Sequence, residues 1–302
     1  MKVLVTGVAG QLGYDVVNNL SNRGIDAIGT DIRQEDELIN KANWSKYVQL
    51  DITDKDKTAL IVNQIKPDAI IHCAAWTNVD GAEDINNKEI VKKINVDGTN
   101  NLVQAAKGIN AKFLYISTDY VFDGEGERPW QPDDKKYKPQ NYYGETKLQG
   151  ELAVSSHLDN YFIVRIAWVF GLNGKNFIKT MISLANKGYK ELNVVDDQIG
   201  TPTYTYDLAR LLVDMIQTDK YGYYHATNEG GYISWATFAE EIFKQAKKEL
   251  KVNHVTTAEY GVSVAKRPFN SRLDKSKLIA NGFAPLPDWK DALKRYLKEI
   301  GE

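Results

Sequence analysis

A tyrosine and a lysine four residues apart form the pattern in this chain that most clearly indicates chemistry. Tyr143 and Lys147 occur in a segment with helical character, residues 142–155, so they share one helix face. A phenol in water titrates at about 10, and a nearby ammonium lowers that pKa because it favours the phenolate. Such a phenol gives a proton to a developing alkoxide and recovers one from solvent. The spacing therefore predicts that Tyr143 is a proton donor tuned by Lys147.

Two other residues bear on this proton-handling site. Thr118 follows a predicted strand, and open α/β sheets bind their ligands at the carboxyl ends of strands. Its hydroxyl could hold a carbonyl oxygen. Tyr142 is the competing phenol, but Thr146 stands where its lysine partner would be. We therefore predict that Thr118, Tyr143 and Lys147 form the catalytic set.

A glycine-rich turn near the start of the chain has the spacing of a phosphate-binding turn. It follows the apolar segment 3–5 and precedes a helical pattern. Glycines here permit a sharp turn, close approach of the backbone to phosphate, and packing of the helix on the sheet. The helix N-terminus adds free N–H groups and a positive dipole end. The predicted pyrophosphate contacts are Gly7, Gly10, Gln11, Leu12 and Gly13.

Residues after the next three predicted strands indicate where the rest of a dinucleotide lies. Asp31 ends the second strand, where a carboxylate accepts from ribose hydroxyls and favours NAD. Arg33 follows closely and could meet a 2′-phosphate, which favours NADP. The sequence therefore predicts NADPH or NADH as cofactor. The remaining predicted contacts are Asp51, Ile52, Ala74 and Ala75.

Short β-branched segments alternate with helical patterns in the first half of the chain. The predicted strands are Lys2–Thr6, Asp26–Thr30, Tyr47–Leu50, Ala69–Cys73, Lys112–Ser117 and Phe162–Ile166. The predicted helices are Gln11–Asn22, Asp54–Ile65, Asn86–Lys107 and Tyr142–Ser155. This alternation predicts an α/β fold with a doubly wound parallel sheet, the Rossmann arrangement.

The alternation stops after residue 170, and a smaller interleaved α/β lobe is expected there. Its predicted elements are helices at Asn176–Lys187, Asp207–Ile216, Trp235–Leu250 and Asp288–Ile300, and strands at Leu192–Val195 and Tyr223–Ala226. We expect residues 1–170 to form the dinucleotide-binding domain, with about 196–226 packing back on it. Residues 171–195 and 227–302 are expected to form the substrate-binding lobe. The proline-rich segment 124–140 is expected to be a lid or rim.

Composition narrows the classes of partner. The chain has 302 residues and a formal net charge of −2, which indicates neither nucleic acid nor a membrane surface as partner. No apolar segment is long enough to cross a membrane, and we expect no secretory signal. Cys73 is the only cysteine, so no intrachain disulfide forms, which suits the cytoplasm. The four histidines are scattered, and no metal site is predicted.

The motifs together resemble the extended short-chain dehydrogenase/reductase superfamily and, within it, the dTDP-4-dehydrorhamnose reductases. The resemblance covers nearly the whole chain. It includes the glycine turn, CAAWTNVD at 73–80, Ile94-Asn95, STDYVFDG at 117–124, YGETKL at 143–148, VRIAWVFG at 164–171, DQIGTPT at 197–203 and Arg267-Pro268. The segments STDYVFDG and DQIGTPT are specific to this subgroup.

The resemblance implies roles for particular residues. It implies a triad of Thr118, Tyr143 and Lys147, with Lys147 also bonded to the nicotinamide ribose and Asn95 supporting a proton relay. It also implies that the sugar and nicotinamide end is lined by Thr77, Val79, Tyr120 and Trp168. Arg267 is a candidate diphosphate anchor, since guanidinium suits phosphate geometry and Pro268 steadies its backbone.

The implied activity is NAD(P)H-dependent reduction of the C4 keto group of a nucleotide-linked 6-deoxysugar, with dTDP-4-dehydro-L-rhamnose as substrate and dTDP-L-rhamnose as product. The implied partner is thus a small-molecule nucleotide sugar, and a homodimer is among the assemblies that relatives form. Two alternatives stay open: another sugar-nucleotide reductase or epimerase, and a non-catalytic regulatory subunit resembling that of methionine adenosyltransferase.

Overall fold

The computed structural model describes residues 1–261 and 263–302. Its strands are β1 Lys2–Thr6, β2 Asp26–Asp31, β3 Lys46–Gln49, β4 Ala69–His72, β5 Lys112–Thr118, β6 Tyr161–Ile166, β7 Val169–Phe170, β8 Glu191–Val195, β9 Ile199–Gly200, β10 Thr203–Tyr204, β11 Gly222–His225, β12 Ile233–Ser234 and β13 Lys251–Val255. Its helices are α1 Gln11–Asn22, α2 Lys55–Ile65, α3 Val79–Glu83, α4 Lys88–Lys92, α5 Thr99–Ile109, α6 Tyr142–His157, α7 Phe177–Asn186, α8 Thr205–Ile216, α9 Trp235–Gln245, α10 Thr257–Tyr260, α11 Ser276–Ala280 and α12 Trp289–Glu299.

The central sheet has seven parallel strands in the order β11-β6-β5-β4-β1-β2-β3. The strand order reverses between β1 and β4, where open α/β sheets form their ligand crevice. Apolar side chains of β1, β4 and β5 are buried, because helices cover both faces of the sheet. The predicted doubly wound α/β fold is confirmed.

The two faces of the sheet carry separate cores. One face packs against α1 and α8, with Val16 and Leu208 in the same buried cluster as Val3. The other packs against α2 and α5, with Val62 and Leu102 among its buried residues. Helix α8 and strand β11 come from the second half of the chain, so that half contributes to the core around the sheet.

A third buried cluster lies outside the sheet and joins α7, α9 and α12. It contains Phe170, Phe238 and Trp289, which are almost fully buried. The side chain of Ser234 caps α9 by accepting from the Thr237 N–H at 3.1 Å, as its position before an apolar stripe indicates.

The structure differs from the sequence prediction in two elements. The single helix predicted over 86–107 is divided into α4, a π-helical segment at Lys93–Gly98, and α5. A Cβ on Gly98 would lie 2.7 Å from Ile52, so Ile52 fits only against a glycine in this segment. The helix predicted to continue to Leu250 ends at Gln245, and β13 follows, paired in parallel with β8.

Candidate active site

A cavity of about 1010 Å³ lies at the carboxyl ends of the central strands, where their order reverses. It extends from the glycine turn at one end to Tyr143 and Trp168 at the other. Every residue predicted from the sequence to bind or react lines this cavity, except Asn95 and Arg267. Those lining it are Gly7, Gly10, Gln11, Leu12, Gly13, Asp31, Arg33, Asp51, Ile52, Ala74, Ala75, Thr77, Val79, Thr118, Tyr120, Tyr143, Lys147 and Trp168.

The glycine turn is held by close packing between β1, β4 and α1. Gly7 has φ +71°, and a Cβ there would lie 2.7 Å from the Ala74 backbone. A Cβ on Gly13 would collide with the Gly7 carbonyl oxygen. Gly10 precedes α1, and no side chain of the described residues caps that helix. The N-terminus of α1 thus points its N–H groups and positive dipole end into the cavity.

Asp31 supports the turn as well as facing the cavity. One carboxylate oxygen accepts from the Ala9 N–H at 3.0 Å and the other from the Arg33 N–H at 3.3 Å. The Arg33 side chain is exposed at the same end of the cavity. Asp51 accepts two hydrogen bonds from Thr53. A carboxylate and a guanidinium therefore stand together where the adenosine end of a dinucleotide is predicted.

Helix α6 carries the phenol and the amine to the other end of the cavity. It begins at Tyr142 because the Asn141 side chain accepts from the Gly144 N–H at 2.8 Å. A Cβ on Gly144 would collide with the Tyr120 carbonyl oxygen, so glycine lets α6 approach the end of β5. The Tyr120 and Tyr143 rings meet edge to face with centroids 5.7 Å apart.

The structure separates the two candidate phenols. Tyr143 lines the cavity, whereas the Tyr142 hydroxyl donates to the Lys88 carbonyl at 3.3 Å on another side of α6. Lys147 is 4 % exposed, and its Nζ lies 4.2 Å from the centre of the Tyr115 ring. Tyr143 and Lys147 thus reach the same cavity from successive turns of α6.

Burial dominates the titration of both groups. It raises the pKa of Tyr143, and the charge of Asp119 raises it further, while the hydrogen bond of Thr118 acts to lower it. Burial lowers the pKa of Lys147 to about 7, against the charge of Glu151, which raises it. The expectation of a lowered pKa for Tyr143 is therefore wrong for this protein, because burial and the charge of Asp119 raise it.

Asp119 is a cavity residue that the sequence analysis did not single out, although it lies inside STDYVFDG. It accepts from the Thr118 hydroxyl at 3.0 Å and from the Ser271 hydroxyl at 2.5 Å. Burial raises its pKa to about 6, and those hydrogen bonds act against that rise. A carboxylate with this pKa is mainly charged at neutral pH, and its charge favours the protonated form of Tyr143.

Asn95 lies behind the cavity wall. Its amide donates to the Trp76 carbonyl at 3.2 Å and to the Thr146 hydroxyl at 3.0 Å, and it accepts from the Trp76 N–H at 2.8 Å. It therefore ties the segment after β4, which carries Thr77 and Val79, to α6. A role in a proton relay stays a prediction.

Arg267 also lies outside the cavity lining. Its guanidinium donates to Asp80 at 2.7 Å and to the Tyr120 hydroxyl at 3.3 Å. This ion pair joins the C-terminal part of the chain to α3. Arg267 thus contacts the cavity lining through the Tyr120 hydroxyl.

Another wall of the cavity comes from parts of the chain that the sequence analysis left without a role. Asn40, in the long connection between β2 and β3, donates to Asn173 at 2.6 Å, and both line the cavity. Lys175 and Lys179 follow on the same wall. No local motif marks these residues. Among the described residues, none of 124–140 lines the cavity, and buried Trp130 of that segment stacks on Phe122 with ring centroids 4.4 Å apart. A role of this segment as a lid or rim stays a prediction.

The cavity fits a dinucleotide. A glycine cradle and an uncapped helix N-terminus suit a pyrophosphate, Asp31 and Arg33 suit an adenosine ribose, and Lys147 suits a second ribose. Within the described ranges, no group of three or more His, Cys, Asp or Glu side chains could hold a metal ion. No helix among those residues is both long and apolar enough to cross a membrane.

Comparison with known proteins agrees with this geometry. The chain is 39% identical over 308 residues to a dTDP-4-dehydrorhamnose reductase of Aggregatibacter actinomycetemcomitans, covering 97% of each chain. The crystal structure of a dTDP-4-dehydrorhamnose reductase from Clostridium acetobutylicum superposes with a TM-score of 0.90 at 40% identity over 100% of both chains. One from Bacillus anthracis in complex with NADP superposes with 0.88 at 38% identity, over 99% of this chain and 100% of that one.

The family model described as the RmlD substrate binding domain matches residues 1–301. The resemblance to the dTDP-4-dehydrorhamnose reductases is confirmed, and the chain belongs to the RmlD substrate binding domain family.

Proposed function

We infer that this protein is an oxidoreductase that reduces the C4 keto group of dTDP-4-dehydro-L-rhamnose to give dTDP-L-rhamnose, with NADPH or NADH as reductant. The observation that carries this function is the meeting of Thr118, Tyr143 and Lys147 in one cavity with the glycine turn. Relatives with the same activity in their names, 38% to 40% identical over almost the whole chain, support the choice of substrate.

The bound dinucleotide supplies the hydride, and the protein handles the proton. We propose that Thr118 and Tyr143 hold the carbonyl oxygen of the sugar between their hydroxyls. Because the pKa of Tyr143 is raised, its phenol is fully protonated at neutral pH and can donate as negative charge develops on that oxygen. Thr118 has one hydroxyl hydrogen, which it donates to Asp119 in the free protein, so we propose that this hydroxyl turns from Asp119 to the sugar oxygen when the substrate binds.

Lys147 has a different part in this scheme. Its Nζ is buried beside the cavity and carries a positive charge below its pKa of about 7. That charge favours the Tyr143 phenolate left after proton transfer, and the ammonium donates to the ribose next to the nicotinamide. We propose that one side chain thus anchors the cofactor and eases the transfer of the proton from Tyr143 to the sugar oxygen.

The remaining contacts are proposed from their positions. Gly7, Gly10, Gln11, Leu12 and Gly13 would bind the pyrophosphate, and Thr77, Val79, Tyr120 and Trp168 would line the sugar. Residues 1–170 with 196–226 would form the dinucleotide domain, and 171–195 with 227–302 the substrate lobe. Arg267 as diphosphate anchor, homodimer formation and a cytoplasmic location stay predictions.

The function is tested by following NADPH absorbance with dTDP-4-dehydro-L-rhamnose as substrate, after titration has shown that NADPH binds. We expect oxidation that depends on the keto sugar, its loss in Thr118→Val, and its retention in Tyr142→Phe as a matched control for a phenol outside the cavity. Binding of NADPH without oxidation would contradict the reductase and favour a regulatory subunit. Conversion of the sugar without net oxidation would favour an epimerase.

A further inference from the structure

Trp168 has a backbone conformation that side chains of its kind rarely adopt. Its φ is +51°, in the left-handed region that favours glycine, and it lies between β6 and β7 on the cavity wall. Its carbonyl accepts from the Thr203 N–H at 3.1 Å, and the Thr203 hydroxyl donates to the neighbouring Ala167 carbonyl at 2.6 Å. Such strain persists only where surrounding structure imposes it.

Trp235 supports the Trp168 ring from outside the cavity. The two indoles stack with centroids 3.7 Å apart and an angle of 15° between their planes. Trp168 lines the cavity and Trp235 does not. Trp235 is itself held by Phe177, whose ring centroid lies 4.6 Å away. Trp235 therefore fixes the ring plane that Trp168 presents to a ligand.

Gly200 provides the space for the Trp168 ring edge. A Cβ on Gly200 would lie 2.9 Å from Cε2 and 3.0 Å from Nε1 of Trp168. Gly200 of β9 pairs with Ile233 of β12, and Ile233 is two residues before Trp235. One short ladder therefore positions both Gly200 and Trp235. This contact gives a physical reason for the glycine in DQIGTPT.

We propose that Trp235 and Gly200 are positioning residues for Trp168. They hold its indole as a wall of the sugar site, while its backbone stays in the strained left-handed region. The identity of the ligand, a nucleotide-linked 6-deoxysugar, rests on the proposed function. The stacking of Trp168 on Trp235 does not depend on that function. Neither supporting residue lines the cavity, so their substitution acts on the ligand through Trp168.

The test begins with the protein alone. Near-ultraviolet circular dichroism reports coupling between stacked indoles, so wild type should show a signal that Trp168→Ala and Trp235→Ala each abolish. Gly200→Ala should change that signal, whereas Gly108→Ala should not, because a Cβ on Gly108 meets nothing within 4 Å. Signals that survive in Trp235→Ala and Gly200→Ala would overturn the proposal whether or not the protein is a reductase.

Titration with dTDP-L-rhamnose and steady-state kinetics then measure the consequence for the ligand. In Trp235→Ala and Gly200→Ala we expect Kd and KM for the nucleotide sugar to rise about tenfold, the loss expected when a strained, stacked ring is released. NADPH affinity should change less than about twofold, and Trp235→Phe should restore most of the affinity because its ring also stacks. If Trp235→Ala fails to fold, the comparison of Gly200→Ala with Gly108→Ala decides. Unchanged sugar affinity in Gly200→Ala, with an altered circular dichroism signal, would overturn the positioning role.

Discussion

Tyr143 and Lys147 lie one turn apart on α6, and burial shifts their pKa values in opposite directions. The pKa of Tyr143 is raised and that of Lys147 is lowered to about 7, because loss of hydration penalises the charged form of each group. Near neutral pH the phenol therefore keeps its proton while the amine changes its charge. We therefore propose Tyr143 as the acid and Lys147 as the group whose charge responds to pH.

Replacing Tyr143 with Phe should remove the proton donor and leave the rest of the cavity intact. We expect kcat to fall by about 10²- to 10⁴-fold, the usual contribution of general acid catalysis. NADPH affinity should stay near that of wild type, because the ring is retained. Steady-state kinetics and cofactor titration measure the two effects. Retention of more than half the activity would exclude Tyr143 as the acid.

The pH dependence of kcat/KM should follow Lys147. If the ammonium is the active form, activity is complete well below pH 7 and declines as pH rises through about 7, where Lys147 loses its proton. Lys147→Arg keeps a charge at all accessible pH values, so that decline should disappear from its profile even if its rate is lower.

The pH profile of Lys147→Arg also shows which result would contradict this role of Lys147. A decline near pH 7 that persists in Lys147→Arg would assign it to another group, with Asp119 the first alternative to examine. Lys147→Met should weaken NADPH binding as well as the rate, because it removes the proposed ribose contact. Unchanged NADPH affinity in Lys147→Met would contradict that contact.

Asp31 and Arg33 should affect the two cofactors in opposite directions. Asp31→Asn removes the charge that repels a 2′-phosphate, yet keeps an oxygen for the Ala9 N–H, so NADPH should gain relative to NADH. Arg33→Ala should weaken NADPH more than NADH. Kd values for both cofactors with each variant measure the change. Equal effects on NADH and NADPH would place these residues away from the adenosine ribose.

The stability of the catalytic helix should depend on a buried ion pair. Glu151, one turn after Lys147, binds Arg165 of β6 through two hydrogen bonds of 2.8 Å, and both side chains are fully buried. Glu151→Gln leaves Arg165 buried without its counterion, and the free energy of unfolding should fall by about 3–5 kcal/mol. Removing both charges in Glu151→Leu with Arg165→Met should recover much of that loss. Denaturant unfolding that shows less than about 1 kcal/mol of loss for Glu151→Gln would contradict the account.

Local spacing predicted the parts of the site that short segments determine. The glycine turn, α1 and the pair Tyr143 and Lys147 each lie within one turn or one helix, so their geometry follows from the order of residues. The choice of Tyr143 over Tyr142 also agrees with the structure, because only Tyr143 faces the cavity.

Long-range packing determined what the sequence could not predict. The hydrogen bond between Asn40 and Asn173 joins residues 133 apart, and the ion pair of Arg267 with Asp80 joins residues 187 apart. The direction of the Tyr143 pKa shift depends on burial, which a spacing of four residues does not reveal.

The central proposal is that a hydride passes from NADPH to C4 of the sugar while Tyr143 protonates the C4 oxygen. The most direct test supplies dTDP-4-dehydro-L-rhamnose together with NADPH that carries deuterium at nicotinamide C4. The two stereoisomers of this NADPH, each deuterated on one face of the ring, are used in turn. We expect dTDP-L-rhamnose with one deuterium at its C4, from one stereoisomer only, and formation at least about 10²-fold slower with Tyr143→Phe at the same enzyme concentration. Product without deuterium at C4 from either stereoisomer would contradict the proposal.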